Sequence, residues 1–366
     1  MKKIVGILLA GAMAFSAFAA DVSAKVQLEG ELFKFSDGSM AALNIDKPSD
    51  QHWNPLLNVA VNGDKAGAEF AIFTGSEEAA GGWNKGKGVH VNRFKLWMSP
   101  IDGLKLNFGL FGTGLNQESI LYSKSESNPE GYGYAVSYAA NGFGLDLAFL
   151  PGWGAAWFSK AKGGDAAVAE TVLKVEYAAD FGKINVLLDA KDTFETLKFG
   201  AGYANTFGGV QMFANVLGYV DNGIREVGKD ADDKPVYGPV YKDGFNRIRV
   251  ELFAKGNASG LGWAVFLAPN VWFKANDKIS VDLQAIARVD YGFNGINAYC
   301  LLGGDGLNGR QGIKIGLVKD KSLTFTVQPG VSGNIGGASW DVGVKFDYVK
   351  KQPIIVSLPI VLSMGW

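Results

Sequence analysis

Apolar and polar residues alternate along most of this chain. In "AKVQLEGELFKF", Val26, Leu28, Gly30 and Leu32 share one face, and Lys25, Gln27, Glu29 and Glu31 share the other. Period two belongs to a β-strand, because successive side chains leave opposite faces of the pleat. Phe94, Leu96 and Met98 oppose Arg93, Lys95 and Trp97 in the same way, and Ile248, Val250 and Leu252 oppose Arg247, Arg249 and Glu251. Ile279, Val281, Leu283, Ala285, Ala287, Val289 and Tyr291 oppose Asp282, Gln284, Arg288 and Asp290. Such segments run about 8 to 14 residues, against the ~5–6 of ordinary globular strands and the ~9–11 that cross a bilayer. Their length predicts a membrane barrel rather than a soluble sandwich.

Two kinds of connection join the segments. Short turns fall at Asn62-Gly63-Asp64, Pro100 to Gly103, Asn141-Gly142, Asp180 to Lys183, Phe207 to Gly209 and Asn257 to Gly260. Glycine, asparagine and aspartate there supply the positive φ that tight hairpins need. Long polar loops fall between them, at Ser36 to Pro55, Gly75 to Gly88, Gly114 to Glu130, Pro151 to Ala167 and Asp221 to Asp243. Short turns on one rim and long loops on the other is the layout of outer-membrane barrels, with the turns periplasmic.

The amino end, "MKKIVGILLAGAMAFSAFAA", has two lysines, an apolar run and Ala17-Phe18-Ala19. That is the pattern of a secretory signal peptide over residues 1–19, leaving 20–366 as one barrel domain in the cell outer membrane. Asp21 leads almost directly into the first strand, so the lumen is expected to carry no amino-terminal plug. Glycine, 50 of 366 residues, is about twice the ordinary ~7%, which suits many tight turns and argues against helical bundles. A net charge of −1 with no basic tract removes the electrostatic footprint of a nucleic-acid binder. Cys300 is the single cysteine, which excludes an intrachain disulfide.

The chain closes on "PIIVSLPIVLSMGW". Every second residue from Ile354 through Ile360, Leu362 and Met364 to Trp366 is apolar. If that face meets lipid it needs no covering layer, and barrel closure satisfies the strand's backbone groups. A last strand ending on an aromatic after alternate apolar residues resembles the assembly signal of bacterial outer-membrane β-barrel proteins. With the glycine content and the unplugged start, the whole chain resembles a general porin, and in style a spirochaete outer-membrane protein. The expected fold is therefore all-β, a transmembrane antiparallel barrel of about 18 strands with 16 as the alternative. The ambiguous stretch lies between Leu267 and Leu302, around Pro269, Asn276 and the glycine-rich run that follows.

Little in the chain suggests catalysis. "GDGLNG", Gly304 to Gly309, has dinucleotide-loop spacing but is followed by the alternating "RQGIKIGLV", not a helix. His52 and His90 are the only histidines, Asp50 beside His52 lacks a recognisable serine partner, and Asp230, Asp232 and Asp233 lack the glycine and terminal glutamate of a calcium loop. No enzyme activity, cofactor or metal is expected. Tyr132, Tyr134, Tyr138, Trp263, Trp272 and Trp340 sit near strand ends, mostly on the outward parity, as an interfacial girdle would.

The informative chemistry points inward. Inward basic residues are matched in number by inward acids, so overall ion selectivity should be weak. Arg93 with Lys95, and Arg247 with Arg249 beside Glu251, form basic pairs about 7 Å apart along their strands. With Arg288 these are the candidate pore-lining residues, the two pairs standing on the fourth and twelfth strands. An infolded loop such as Gly114 to Glu130 is the alternative place for a constriction. The leading reading is a passive diffusion channel for small hydrophilic solutes. The alternatives are a surface adhesin or structural protein acting through its long loops, and a selective transporter. Outer-membrane lipid and the assembly machinery are expected partners; a homotrimer and host surface ligands are left open.

Overall fold

The computed structural model describes residues 21–36, 39–44, 57–75, 88–117, 129–150, 170–191, 196–221, 224–229, 235–239, 245–273, 279–303, 313–316, 323–349 and 351–365. The expected signal peptide, Asp50, His52, the three aspartates from Asp230, "GDGLNG" and Trp366 lie outside these residues.

The first strands are β1 (Asp21–Ser36), β2 (Ser39–Asn44), β3 (Leu57–Asn62), β4 (Ala66–Gly75), β5 (Gly88–Ile101) and β6 (Leu104–Gly112). Then come β7 (Glu130–Ala140), β8 (Phe143–Leu150), β9 (Glu170–Ala179), β10 (Gly182–Lys191), β11 (Thr196–Phe207) and β12 (Val210–Asp221). A separate ribbon, β13 (Ile224–Lys229) and β14 (Pro235–Pro239), precedes β15 (Phe245–Ala258), β16 (Leu261–Phe273), β17 (Ile279–Phe293) and β18 (Ile296–Leu302). The chain ends on β19 (Ile313–Gly316), β20 (Leu323–Ile335), β21 (Ala338–Gly343), β22 (Lys345–Val349) and β23 (Ile355–Gly365).

Apart from the ribbon, these strands form one antiparallel sheet of 21 that closes where β23 pairs with β1, Leu362 facing Leu28. Three passes are each broken into two pieces. β2 and β3 both pair with β1, β18 and β19 both with β17, and β21 and β22 both with β23. The wall is thus a closed antiparallel barrel of 18 passes. The expected loop from Ser36 in fact begins with the hairpin partner β2, and the chain rejoins the same pass as β3.

Five of the turns on the short-turn rim are two-residue hairpins with both central residues at positive φ: Asn141-Gly142, Gly208-Gly209, Ser259-Gly260, Asn294-Gly295 and Gly336-Gly337. This is the turn whose twist matches that of the flanking strands. Proline, lacking an N–H, marks two of the irregularities. Pro269 lies in a gap of the β15–β16 ladder, and Pro359 faces the register shift of β1 between Glu31 and Lys34.

Facing follows the alternation. Leu96, Met98, Tyr134, Val186, Val216, Leu362 and Met364 are all more than a third exposed on the outside of the wall. Their inward neighbours are polar, small or covered. Trp272 departs from the expected girdle: it is inward, and its indole N–H donates to Asp282. The reason is parity, since Asn270 and Ala268 on the same face of β16 are buried inside.

Candidate functional site

From Thr113 to Gln117, after β6, the chain stays inside the barrel. Residues Thr113 to Gln117 cross its inner wall, anchored first by the Thr113 N–H to the Pro129 carbonyl and by the Thr113 hydroxyl to Asp146 at 2.6 Å. Leu115, 4% exposed, packs with Leu150, Val172, Leu187 and Leu217, all from inward positions. Asn116 accepts a hydrogen bond at its Oδ1 from Asn185 and donates one to Asn215, whose own amide returns one to the Asn116 carbonyl. The alternative constriction site, the loop from Gly114, is thus infolded over Gly114 to Gln117; 118–128 lie outside the described residues.

Strand register explains why this stretch fits. Across β10, β11 and β12, one inward row reads Leu187, Gly200, Leu217 and the next Asn185, Gly202, Asn215. Each row has an apolar or amide pair flanking a glycine. A Cβ on Gly202 would lie 2.4 Å from the Oδ1 of both Asn185 and Asn215 and 2.7 Å from the Asn116 amide nitrogen. A Cβ on Gly200 would meet the Val216 carbonyl oxygen at 2.6 Å and a Leu115 methyl at 3.1 Å. Leu115 therefore enters a Leu-Gly-Leu row and Asn116 an Asn-Gly-Asn row.

The amide row continues into the arginines. The Asn215 amide donates to Glu251 at 3.0 Å, Arg249 Nε donates to the other Glu251 oxygen at 2.9 Å, and an Arg249 terminal nitrogen donates to Gln284 at 2.8 Å. Asn215 and Glu251 are fully covered and Arg249 is 2% exposed. One row above, the Arg247 guanidinium lies between the rings of Tyr219 and Trp272, 4.1 and 4.3 Å from their centroids. Planar stacking of this kind is a property of arginine that lysine lacks. Arg288 makes a forked contact with Asp290 and rests 4.5 Å from the Tyr299 ring centroid.

On the wall from β4 to β9 the inward charges border a cavity. Lys95 and Lys174, with Glu69, Asp146, Thr113 and Gln117, line a cavity of about 540 Å³. Lys174 pairs with Glu176 at 2.7 Å and stands 4.0 Å from Asp146. A second cavity, about 740 Å³, lies at the short-turn rim beside the closing seam, between Lys25, Asn294, Asn297, Trp340, Asp341 and Ser363. Arg93 is on β5 opposite the register shift between Phe70 and Ala71; its side chain is outside the described set. The pairs at 93/95 and 247/249 do lie on the fourth and twelfth passes, eight apart around the wall. Ile360, Leu362 and Met364 are in the seam strand, paired with Gly30, Leu28 and Val26.

Alternation alone does not announce which inward charges are paired. A second pattern does: basic, apolar, acidic. Lys174-Val175-Glu176, Arg249-Val250-Glu251, Arg288-Val289-Asp290 and Lys345-Phe346-Asp347 each place opposite charges on one face, and each forms an ion pair. The Gly200 and Gly202 rows carry no such local signal, because they exist only once three strands are in register.

No protein-family profile matches the chain, and no characterised protein matches it in sequence. In fold it is similar to solved bacterial outer-membrane proteins. OpdK of Pseudomonas aeruginosa gives a TM-score of 0.53 at 9% identity, over 94% of this chain and 99% of that one. OccAB4 of Acinetobacter baumannii gives 0.53 at 10% identity over 94% and 98%. OccK2 (OpdF) of Pseudomonas aeruginosa, solved in complex with glucuronate, gives 0.51 at 11% over 94% and 97%. The chain thus has the closed β-barrel fold of bacterial outer-membrane proteins. These likenesses lend no support to the spirochaete resemblance.

Proposed function

We propose that this protein is a passive outer-membrane diffusion channel for small hydrophilic solutes, weakly ion selective, with small carboxylates among the solutes it passes. The observation that carries the reading is the charged cavity inside a closed wall, bordered by Lys95 and Lys174, while the outward face is apolar. Charged side chains kept in a lumen need water or partners, since dry unpaired charge costs several kcal/mol or more. Both signs line this cavity, so bulk selectivity is small, and the lysines provide local attraction for anions. The glucuronate complex of OccK2 supports the solute class by analogy of fold. Arg93 is proposed to add to the lining, whereas Arg247, Arg249, Glu251 and Arg288 point inward but are 7%, 2%, 0% and 7% exposed, and so belong to the wall beneath the open surface of the proposed channel.

The protein contributes a fixed dipolar surface and no bond making. Purified protein in planar bilayers should give discrete conductance steps, and liposomes containing it should swell in isotonic glucuronate. A folded, heat-modifiable barrel that inserts but never conducts would leave the adhesin or structural reading in place instead.

A further inference from the structure

The rim opposite the short turns differs from one sector of the barrel to another. From β16 round to β23 its three connections are all short: residues 274–278, 317–322 and 350–354 join the strand ends there. They are also basic. Lys274, Lys278, Lys319, Lys321, Lys350 and Lys351 stand in them against Asp277 and Asp320 alone. The five connections of the same rim from β4 to β15 hold twelve acids against nine bases, so the positive charge of this rim is gathered on one sector. Of the six lysines Lys351 is among the described residues, and the strand ends on either side put the other five on the same rim.

Below these connections the outward face is apolar. Val327, Phe346, Val356, Phe35 and Met40 make one cross-strand row over β20, β22, β23, β1 and β2. Phe325 and Tyr348 stand one step nearer the rim with ring centroids 5.0 Å apart. Phe325, Phe346 and Ile354 are 37%, 40% and 54% exposed. Aromatic rings with lysines just above them suit the boundary between acyl chains and headgroups. Lys351 adds a signal from the backbone. Its φ is 68°, and the other non-glycine residues at positive φ, among those described, are Asn141, Ser259 and Asn294 in hairpins of the opposite rim. Glycine or asparagine fits that conformation better, so the turn holds a lysine that its backbone does not call for.

We propose that this lysine-rich sector, from β16 round to the closing seam, is a docking surface for phosphorylated headgroups of outer-leaflet lipid, with the acyl chains lying along the rows of Phe325 and Phe346. Ammonium groups attract phosphate as point charges, and the aromatic rows below them give the chains an apolar bed. A soluble polyanion would use the lysines and leave the rows unused. An uncharged lipid would use the rows and leave the lysines unused. An anionic lipid uses both, and it is the partner whose charge and shape the sector complements. The surface lies outside the lumen, so this inference does not depend on the channel reading.

The test uses the full-length barrel, purified in a non-ionic detergent and offered lipid A that carries both of its phosphates. The lipid should travel with the folded, heat-modifiable protein and come off as salt is raised, while inorganic phosphate, which has the charge without the chains, should not displace it. Lipid A stripped of phosphate should be retained more weakly, on the order of tenfold or more. Replacing all six lysines by glutamine should cost on the order of tenfold or more as well. The same change at Lys85, Lys87, Lys160 and Lys162, on the long connections, should leave retention as it was. Lys351→Gly suits the left-handed backbone, so it should keep or raise the temperature of conversion to the unfolded form and yet weaken retention roughly threefold. That variant decides the matter where the six-lysine variant fails to fold. Equal retention of lipid A with and without phosphate, equal effects of the two lysine sets, or unchanged retention in Lys351→Gly overturns the proposal. Displacement by inorganic phosphate also overturns it, by making the sector a site for a soluble anion. A barrel that retains lipid A as described and never conducts removes the channel reading and leaves the docking surface standing.

Discussion

Lys95 and Arg249 hold equivalent places in the alternating pattern. Each faces inward, each has a second basic residue two positions before it, and they stand eight passes apart around the same wall. Their surroundings differ. Lys95 borders a cavity, while Arg249 is covered, bonded to Glu251 and Gln284, and linked through Asn215 to the infolded segment. Strand parity is common to both and so explains neither. The difference comes from what lies over the wall: Leu115 and Asn116 close one side, where Gly200 and Gly202 of β11 receive them. One side of the lumen is therefore built like a protein core with polar contents, and the other like a wet surface turned inside out.

The largest effect that this contrast predicts is on stability. Arg249→Met removes the partner of a fully covered Glu251, and breaking a buried pair typically costs about 3–5 kcal/mol. Lys95→Met, at a half-buried position bordering the cavity, should cost about 0–1 kcal/mol. In detergent gels the first variant should convert from folded to unfolded form at a clearly lower temperature and the second should not. Arg249→Met combined with Glu251→Leu should recover part of the loss, since no buried charge is then left unpaired and only the neutral amides of Asn215 and Gln284 lose a partner. Equal costs for the two single variants would show that the relay is hydrated and the contrast is wrong.

A second prediction runs through the wall rather than around it. Leu362 and Ser363 are neighbours in the seam strand, Leu362 41% exposed on the lipid face and Ser363 bonded to Ser339 inside. Leu362→Asp, alone or with loss of Trp366, should lower the yield of folded, membrane-inserted barrel, a charge on the lipid face costing about 1 kcal/mol or more depending on depth. Ser363→Asp should be tolerated better. Unchanged yield for Leu362→Asp would remove the seam strand from its proposed role in assembly.

A third concerns selectivity. Lys95→Glu with Lys174→Glu reverses both lysines of the cavity and should move the zero-current potential in a salt gradient towards cations, at similar conductance. Arg249→Glu cannot serve the same purpose, because it would be read first as a folding defect. A channel that conducts well with both lysines reversed and shows no movement would place the selective region elsewhere, with the rim cavity beside Asp341 the next to probe.

The wall was legible because its cause is local. Alternation, turn residues and an apolar seam strand act over a few residues each, and they suffice for the closed barrel of 18 passes and for the inward placement of Arg247, Arg249 and Arg288. Trp272 was misplaced because aromatic residues near strand ends serve two purposes, and only its step from Asn270 and Ala268 separates them. The seat of Leu115 and Asn116 was illegible for a different reason. Asn116, Asn185, Gly202 and Asn215 come from four separate stretches, and their meeting depends on the register of β10, β11 and β12. The basic-apolar-acidic triplets stand between these cases: each is written in three consecutive residues, yet whether the pair is covered, as at Arg249, or borders a cavity, as at Lys174, depends on what packs over the wall.

The smallest effect is expected at the rim. Lys65 and Asp102 join two neighbouring short turns by an ion pair of 2.8 Å, with side chains 63% and 99% exposed. The hydrogen bond and charge of Lys65 hold the Asp102 carboxyl below the ordinary carboxylate range. A lowered folded-state value means that any stabilisation is present above the unfolded carboxylate's titration and fades as pH falls through the folded one. At neutral pH the pair is formed, yet water and salt screen it, and exposed pairs of this geometry often contribute nothing measurable. Asp102→Asn should therefore leave the conversion temperature unchanged within error at pH 7 and in high salt alike. A loss approaching that of Arg249→Met would mean that the barrel is held at its turns rather than by its covered inner wall, and the contrast between the two sides of the lumen would no longer explain its stability.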